Sequence, residues 1–188
     1  MLRQVLKTKS FELTLWPRRR TELESAVLEA GCVIRPSAMA VGRRMPIVER
    51  EITEQYIMIS AMDLGLKASA QRLAIYDLAR RDGLQECHPQ AGWEVLIANK
   101  GLRLPIRELL IGSTPIEMSR DFIILLEIRD GQTMNTDAGG EVVCFNERRE
   151  WLFRVALTMY LALRPRLGGA ISFFMVLAYY FKIPVNEL

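Results

Sequence analysis

The residues of this 188-residue chain that are most capable of chemistry are one histidine and three cysteines. His88 follows Cys87 directly, whereas Cys32 and Cys144 stand far from both in sequence. A thiol beside an imidazole can act as a nucleophile, and three thiolates with one imidazole can hold zinc. Zinc ligands usually include closely spaced cysteine pairs, which this chain lacks. The spacing favours a loop histidine beside core thiols, with an enzyme site that pairs Cys32 or Cys144 with His88 as an alternative. We assign no catalytic, cofactor-binding or metal-ligating residue.

Oxygen-bearing side chains cluster in residues 130–141, at Asp130, Asn135, Asp137 and Glu141. Such groups suit hard cations, but the stretch lacks the alternating ligands and central glycine of a calcium loop. The sequence also lacks a glycine-rich phosphate loop, a dinucleotide fingerprint, a His-Glu-x-x-His motif and a nucleophile elbow. These patterns favour a polar loop in a protein without catalytic activity, and they identify no small-molecule substrate or cofactor.

Residues 56–97 show an element order similar to that of a winged helix-turn-helix. The pattern predicts a helix to about Met62, a turn, a second helix over 69–81 and a strand pair that reaches Ile97. In such motifs the second helix enters the major groove of DNA. The side chains that would contact bases or phosphates are Lys67, Gln71, Arg72, Arg80 and Arg81. Nearby acidic residues dilute the positive field, and the turn is long for this motif, so DNA binding is the alternative function.

Residues 151–181 hold the densest apolar sequence of the chain. Within 147–163, polar residues recur at three- and four-residue steps, which is typical of a helix. Pro165 ends that pattern, and residues 170–181 then continue without a charge. Twelve helical residues span only about 18 Å, less than the roughly 30 Å of bilayer hydrocarbon. The stretch therefore predicts a buried C-terminal helical hairpin rather than a membrane anchor.

The rest of the chain mixes strand-like and helix-like patterns. Alternation predicts a strand over 11–16, and a capping box at Thr21 and Glu24 begins a helix that continues to Ala30. Residues 47–62 predict a helix, although 56–60 fit a strand equally well.

The later segments predict further strands. These are a hairpin over 92–98 and 102–106, and an antiparallel pair over 122–129 and 141–145. Segregated runs of this kind predict one α+β domain over residues 1–188, with a candidate boundary near 112–120. Its sheet is expected to be mostly antiparallel, packed by N-terminal and central helices and by the C-terminal hairpin.

Composition favours a protein that works through an interface. Nine methionines, three tryptophans and many arginines are residue types enriched at such surfaces. The apolar C-terminal block would leave an exposed patch for a protein partner or a second copy. The predicted partner surface comprises Trp151, Arg154, Phe173, Phe174, Tyr179 and Tyr180. The leading hypothesis is a non-catalytic macromolecular-interaction protein: an adaptor, a regulator or a complex subunit. Unpaired cysteines and the absence of an apolar N-terminal run indicate a cytoplasmic protein.

Overall fold

The computed structural model describes residues 10–119, 122–140 and 143–156. These residues all belong to one compact unit, Met1–Ala156. The second helix predicted for the C-terminal hairpin lies outside the described residues.

The described chain contains eleven strands and four helices. The strands are β1 (Ser10–Leu15), β2 (Val33–Ile34), β3 (Ile52–Ser60), β4 (Ala70–Gln71), β5 (Leu84–Gln85), β6 (Glu108–Ile111), β7 (Ile116–Ser119), β8 (Phe122–Arg129), β9 (Thr133–Ala138), β10 (Cys144–Phe145) and β11 (Glu150–Val155). The helices are α1 (Arg20–Glu29), α2 (Pro36–Gly42), α3 (Arg72–Arg81) and α4 (Ala91–Leu102). Nine strands form one sheet, in which seven follow the order β1-β3-β11-β6-β8-β9-β2, while β5 pairs with β11 and β7 with β8. Strands β4 and β10 form a separate two-stranded sheet.

The large sheet is mixed, which corrects the predicted fold. Strand β11 runs parallel to β6 and β2 runs parallel to β9, while the other pairs are antiparallel. The helix predicted over 147–163 is also wrong in its first half, because Glu150–Val155 is a strand inside the sheet. Four of its six residues are buried. A strand covered on both faces reads as a nearly continuous apolar run, so its sequence can be mistaken for that of a buried helix.

Helices cover both faces of this sheet. On one face, α4 contacts β1, β8 and β9, while α1 packs on α4 and α2 packs on β8 and β9. On the other face, the ring of Tyr76 from α3 meets Trp151 and Phe153 edge-on, with centroids 5.7 and 5.5 Å apart. Neighbouring residues of β11 point to opposite faces, so Leu152 belongs to the α4 side while Trp151 and Phe153 belong to the α3 side.

Several local predictions are confirmed. The strand over 11–16, the helix over 21–30, the helix over 69–81 and the strand over 122–129 are all present within a few residues. The capping differs, because Glu22 accepts the amide of Arg19 at 2.9 Å, in place of the predicted Thr21–Glu24 box.

Other local predictions are wrong. Residues 52–60 form β3, so the strand alternative for 56–60 is the one confirmed, and the predicted hairpin over 92–106 is largely helix α4. Helix α4 has six buried residues in succession, Ala91 to Leu96, and therefore lacks the amphipathic stripe that identifies a surface helix. The partner of β8 predicted at 141–145 is instead β9, which lies in the stretch interpreted as a polar loop.

A forked sheet and its candidate binding cleft

The large sheet divides at one point, between β11 and β6. Strand β11 pairs with β6 as far as Leu152 and Ile111. Beyond that point β11 pairs with β5, whereas the chain leaving β6 continues as β7 and pairs with β8. The parallel strands β6 and β11 thus both direct their carboxyl ends toward the fork. Crevices beyond the carboxyl ends of parallel strands, where neighbouring strands part, are common ligand sites in α/β proteins.

The base of the fork is closed by backbone contacts. The amide of Gly112 donates to the carbonyl oxygen of Leu152 at 2.9 Å, and the amide of Cys87 donates to the carbonyl oxygen of Gly112 at 2.9 Å. A Cβ atom at position 112 would lie 2.5 Å from the Leu152 oxygen, so only glycine permits this approach. Beyond Cys87 and Ser113, which form an isolated bridge, the two branches separate.

An open cleft of about 630 Å³ fills the space between the branches. Its apolar walls include three prolines and three aliphatic side chains, and its polar groups carry both signs of charge. The lining residues are Leu15, Arg44, Pro46, Ile52, Glu54, Glu86, Cys87, His88, Pro89, Thr114, Pro115, Ile116, Glu117 and Arg154. Apolar walls with a few polar groups are typical of binding sites, and the volume lies within their usual range of roughly 300–1,000 Å³.

The thiol of Cys87 and the imidazole of His88 both line this cleft, but neither is set up for nucleophilic catalysis. Cys87 is 4% exposed, and its Sγ donates to the carbonyl oxygen of Leu152 at 3.4 Å. Burial strongly raises the pKa of this thiol, so it remains protonated at neutral pH. Burial lowers the pKa of His88, partly opposed by Glu54. Its Nδ1 accepts the Gln90 amide at 3.2 Å, which places the proton of the neutral ring on Nε2.

The two carboxylates deepest in the cleft are already paired. Glu54 accepts Nη1 of Arg154 at 2.6 Å and the hydroxyl of Tyr56 at 3.0 Å. Glu86 accepts Nη2 of Arg80 at 2.9 Å and the hydroxyl of Thr114 at 3.1 Å, which joins the two branches of the fork. Each of these two side chains is therefore held in place by two hydrogen-bond donors.

The rim of the cleft carries two exposed charges of opposite sign, Arg44 and Glu117. Arg44 donates from Nη1 to the carbonyl oxygen of Met118, 2.6 Å away on β7. Four charged residues of the cleft were not predicted from the sequence, because they come from four separate segments: Arg44, Glu54, Glu86 and Glu117. No motif joins them, and only the fork of the sheet brings them together.

The residues predicted to contact DNA do not form one exposed helix face. Arg72 is 8% exposed, its Nε donates to the carbonyl oxygen of Gly139 at 3.2 Å, and its guanidinium lies 5.4 Å from the Tyr76 ring centre. Arg80 pairs with Asp77 at 2.6 Å and with Glu86. The other predicted contacts, Lys67, Gln71 and Arg81, are exposed. The winged helix-turn-helix prediction is wrong, since β3 occupies the position of the first helix and α4 that of the strand pair.

The structure describes two of the six residues of the predicted partner surface, Trp151 and Arg154. Trp151 is fully buried among Tyr76, Phe145 and Phe153, so it is not available to a partner. Arg154 is partly exposed, but it lines the fork and pairs with Glu54 and Gln85. The remaining members, Phe173, Phe174, Tyr179 and Tyr180, lie outside the described residues.

The other candidate ligand groups are dispersed. Cys32 and Cys87 are buried and Cys144 is exposed, all as free thiols. Asp130 lies in the turn between β8 and β9, while Asn135 and Asp137 belong to β9 and bond to neighbours: Asn135 to Glu127 and Asp137 to Arg149. Within the described ranges, no three His, Cys, Asp or Glu side chains converge closely enough to hold a metal ion.

Among the residues that the structure describes, none forms a helix with the length and apolar character needed to cross a bilayer.

Comparison of the chain with protein-family models, with curated proteins and with solved structures found no match in any of the three.

Proposed function

We propose that this chain is a non-catalytic protein-binding module, and that the cleft between the branches of the sheet receives a segment of its partner protein. The observation that carries this proposal is the fork itself. It creates an open, largely apolar cleft at the carboxyl ends of two parallel strands.

The chemistry of the cleft favours binding over catalysis. The thiol is buried and protonated, and the imidazole is bonded through Nδ1 to a backbone amide. The inner carboxylates are each held by two donors. Rigid polar groups that are already satisfied set the orientation of a ligand, whereas an acid or a nucleophile needs a perturbed and accessible group.

A protein segment suits this cleft for two reasons. The proline side chains Pro46, Pro89 and Pro115 provide stiff apolar surface, and the cleft is open rather than enclosed. The charged side chains of Arg44 and Glu117 at the rim would fix the orientation of the bound segment, because its own complementary charges can pair with them in one direction only.

The experiment uses the full chain as bait for a random dodecapeptide phage library, followed by titration of the best synthetic peptide. We expect Arg44→Glu to weaken binding at least tenfold. Arg43→Glu is the matched control, because Arg43 is an exposed neighbour that does not line the cleft. Equal affinity for both variants and the unmodified protein would place the binding site elsewhere.

DNA binding is the alternative proposal, and the exposed Lys67, Gln71 and Arg81 are the side chains that it would use. It predicts affinity for duplex DNA that falls steeply with salt. Salt-sensitive binding that is lost in Lys67→Glu with Arg81→Glu, but kept in Arg44→Glu, would replace the cleft proposal with this one.

A further inference from the structure

Strand β7 lines the fork and hydrogen-bonds, among the described strands, to β8 alone. On the side where β6 pairs with β11, β7 has the cleft in place of a neighbouring strand. The carbonyl oxygen of Met118 on this strand accepts a side-chain donor, Nη1 of Arg44, at 2.6 Å. Within the part of the chain that the structure describes, strand β7 is therefore a sheet edge, and it lies along the cleft.

The direction of the backbone groups on β7 follows from the register. The carbonyl oxygen of Ile123 accepts the amide of Gly139 at 2.8 Å, so Ile123 turns its backbone groups away from β7. Its register partner on β7 is Glu117. Opposite residues of an antiparallel ladder either bond to each other through their backbone amides and carbonyls or both direct these groups outward, away from the other strand. Glu117 thus turns its amide and carbonyl away from β8, whereas Ile116, paired with Ile124, directs its own toward β8.

We propose that the partner segment binds by strand addition, as an extended peptide whose backbone pairs with the outer edge of β7 at Glu117. This inference rests on the proposed function and specifies the conformation of the partner and the contacts that hold it. Main-chain bonds to an exposed edge provide affinity in this mode, and side-chain pockets provide selectivity. The register shift between Glu117 and Ser119 limits the edge, so the paired stretch is short.

The walls of the cleft define the side chains of that segment. In an extended peptide, successive side chains alternate between two sides. One side would meet apolar residues that line the cleft, among them Ile52, Ile116 and Pro115, which suit an aliphatic or aromatic side chain. An acidic residue next to it would reach Arg44, whose Nη1 already contacts Met118 and whose guanidinium has further donors. The occupant is therefore an extended segment of a partner protein that carries an apolar residue beside an acidic one.

The test measures amide hydrogen exchange on the full chain, saturated with the dodecapeptide selected as above. We expect exchange of the Glu117 amide to slow at least tenfold. The Ile116 amide is the internal control, since it already faces β8 and should change by less than twofold. N-methylation of single peptide residues should abolish binding at alternating positions, because only every second amide points to the sheet edge.

The possible results separate this inference from the proposed function. Strand addition is refuted if the peptide needs Arg44 but leaves exchange of the Glu117 amide unchanged, or if it tolerates every N-methyl group. In that case the cleft remains the binding site. If the library yields no peptide sensitive to Arg44→Glu, the proposed function and strand addition are both wrong.

Discussion

Nη1 of Arg154 lies 2.6 Å from Oε1 of Glu54, joining strands β11 and β3 at the wall of the cleft. Their side chains are 36% and 23% exposed, so the pair is shielded from water only in part. The hydroxyl of Tyr56 donates to the other oxygen of the same carboxylate at 3.0 Å. Two strands thus share one polar cluster where the branches of the sheet diverge.

Replacing Arg154 by methionine should lower the free energy of unfolding by roughly 1–2 kcal/mol, since it removes a charge-assisted bond to a partly buried carboxylate. Chemical denaturation measures the change. The double-mutant cycle with Glu54→Gln should give a coupling energy of similar size. A coupling energy near zero would mean that the two side chains act independently.

The buried pair formed by Glu127 and Arg149 should have a larger effect. Glu127 is fully buried on β8 and accepts bonds from Arg149, Arg129 and Asn135. Arg149→Met would leave this carboxylate without its main cation, and we expect a loss of about 3–5 kcal/mol on denaturation. The matched control is Arg148→Met, whose side chain is 80% exposed and should change stability by less than about 0.5 kcal/mol. Similar small losses in both variants would contradict the described packing.

Thiol reactivity should distinguish the three cysteines. Cys144 is exposed, while Cys32 and Cys87 are 8% and 4% exposed, and burial raises the pKa of both. In native protein, a disulfide reagent should therefore modify one thiol quickly and the other two at least tenfold more slowly. The fast phase should disappear in Cys144→Ser. Rapid labelling of Cys87 in the native state would instead contradict the burial of this thiol.

Glu94 should make stability depend on pH. It is 3% exposed on α4 and accepts bonds from the amide of Trp16 at 3.3 Å and from Gln90 at 3.1 Å. Burial raises the pKa of its carboxyl, outweighing the opposing effects of these bonds and of Arg18. An acid whose pKa is raised by folding favours the native state when protonated. Its contribution is complete below the pKa of the unfolded chain and is lost as the pH rises through the raised pKa.

Glu94→Gln should remove this contribution, so the stability difference between the variant and the unmodified protein should shift in favour of the variant as the pH rises. Chemical denaturation of both proteins between pH 4 and pH 8 measures this difference. A difference that is constant across this range would show that Glu94 titrates normally.

Local sequence patterns correctly predicted the elements that have one solvent-exposed side and one buried side. The N-terminal strand, α1 and α3 keep an alternating or helical stripe, because one face of each meets water. The sequences of strand β11 and helix α4 lack such a pattern of apolar and polar residues, because both elements are buried on most sides. Both were therefore predicted as the wrong class of element: β11 as part of the first helix of the C-terminal hairpin, and α4 as a strand pair.

The site was harder to predict than the elements. The residue types of His88 and Cys87 identified them as chemically capable groups, and both line the cleft. Glu54 and Arg154 come from strands far apart in sequence, and their proximity depends on the pairing of β3 with β11. The fork also depends on Gly112, whose role becomes visible only from the closeness of Leu152. Long-range strand pairing of this kind leaves no local pattern in the chain.

The most direct measurement of the central claim is calorimetric titration of the selected dodecapeptide into the full chain and into Thr114→Trp. Thr114 is exposed on the cleft wall, and an indole there would fill the space between the branches. If the fork is the binding site, affinity falls at least tenfold while thermal stability changes little. Undiminished affinity in a folded Thr114→Trp protein would contradict the proposal that partners bind between the branches of the sheet.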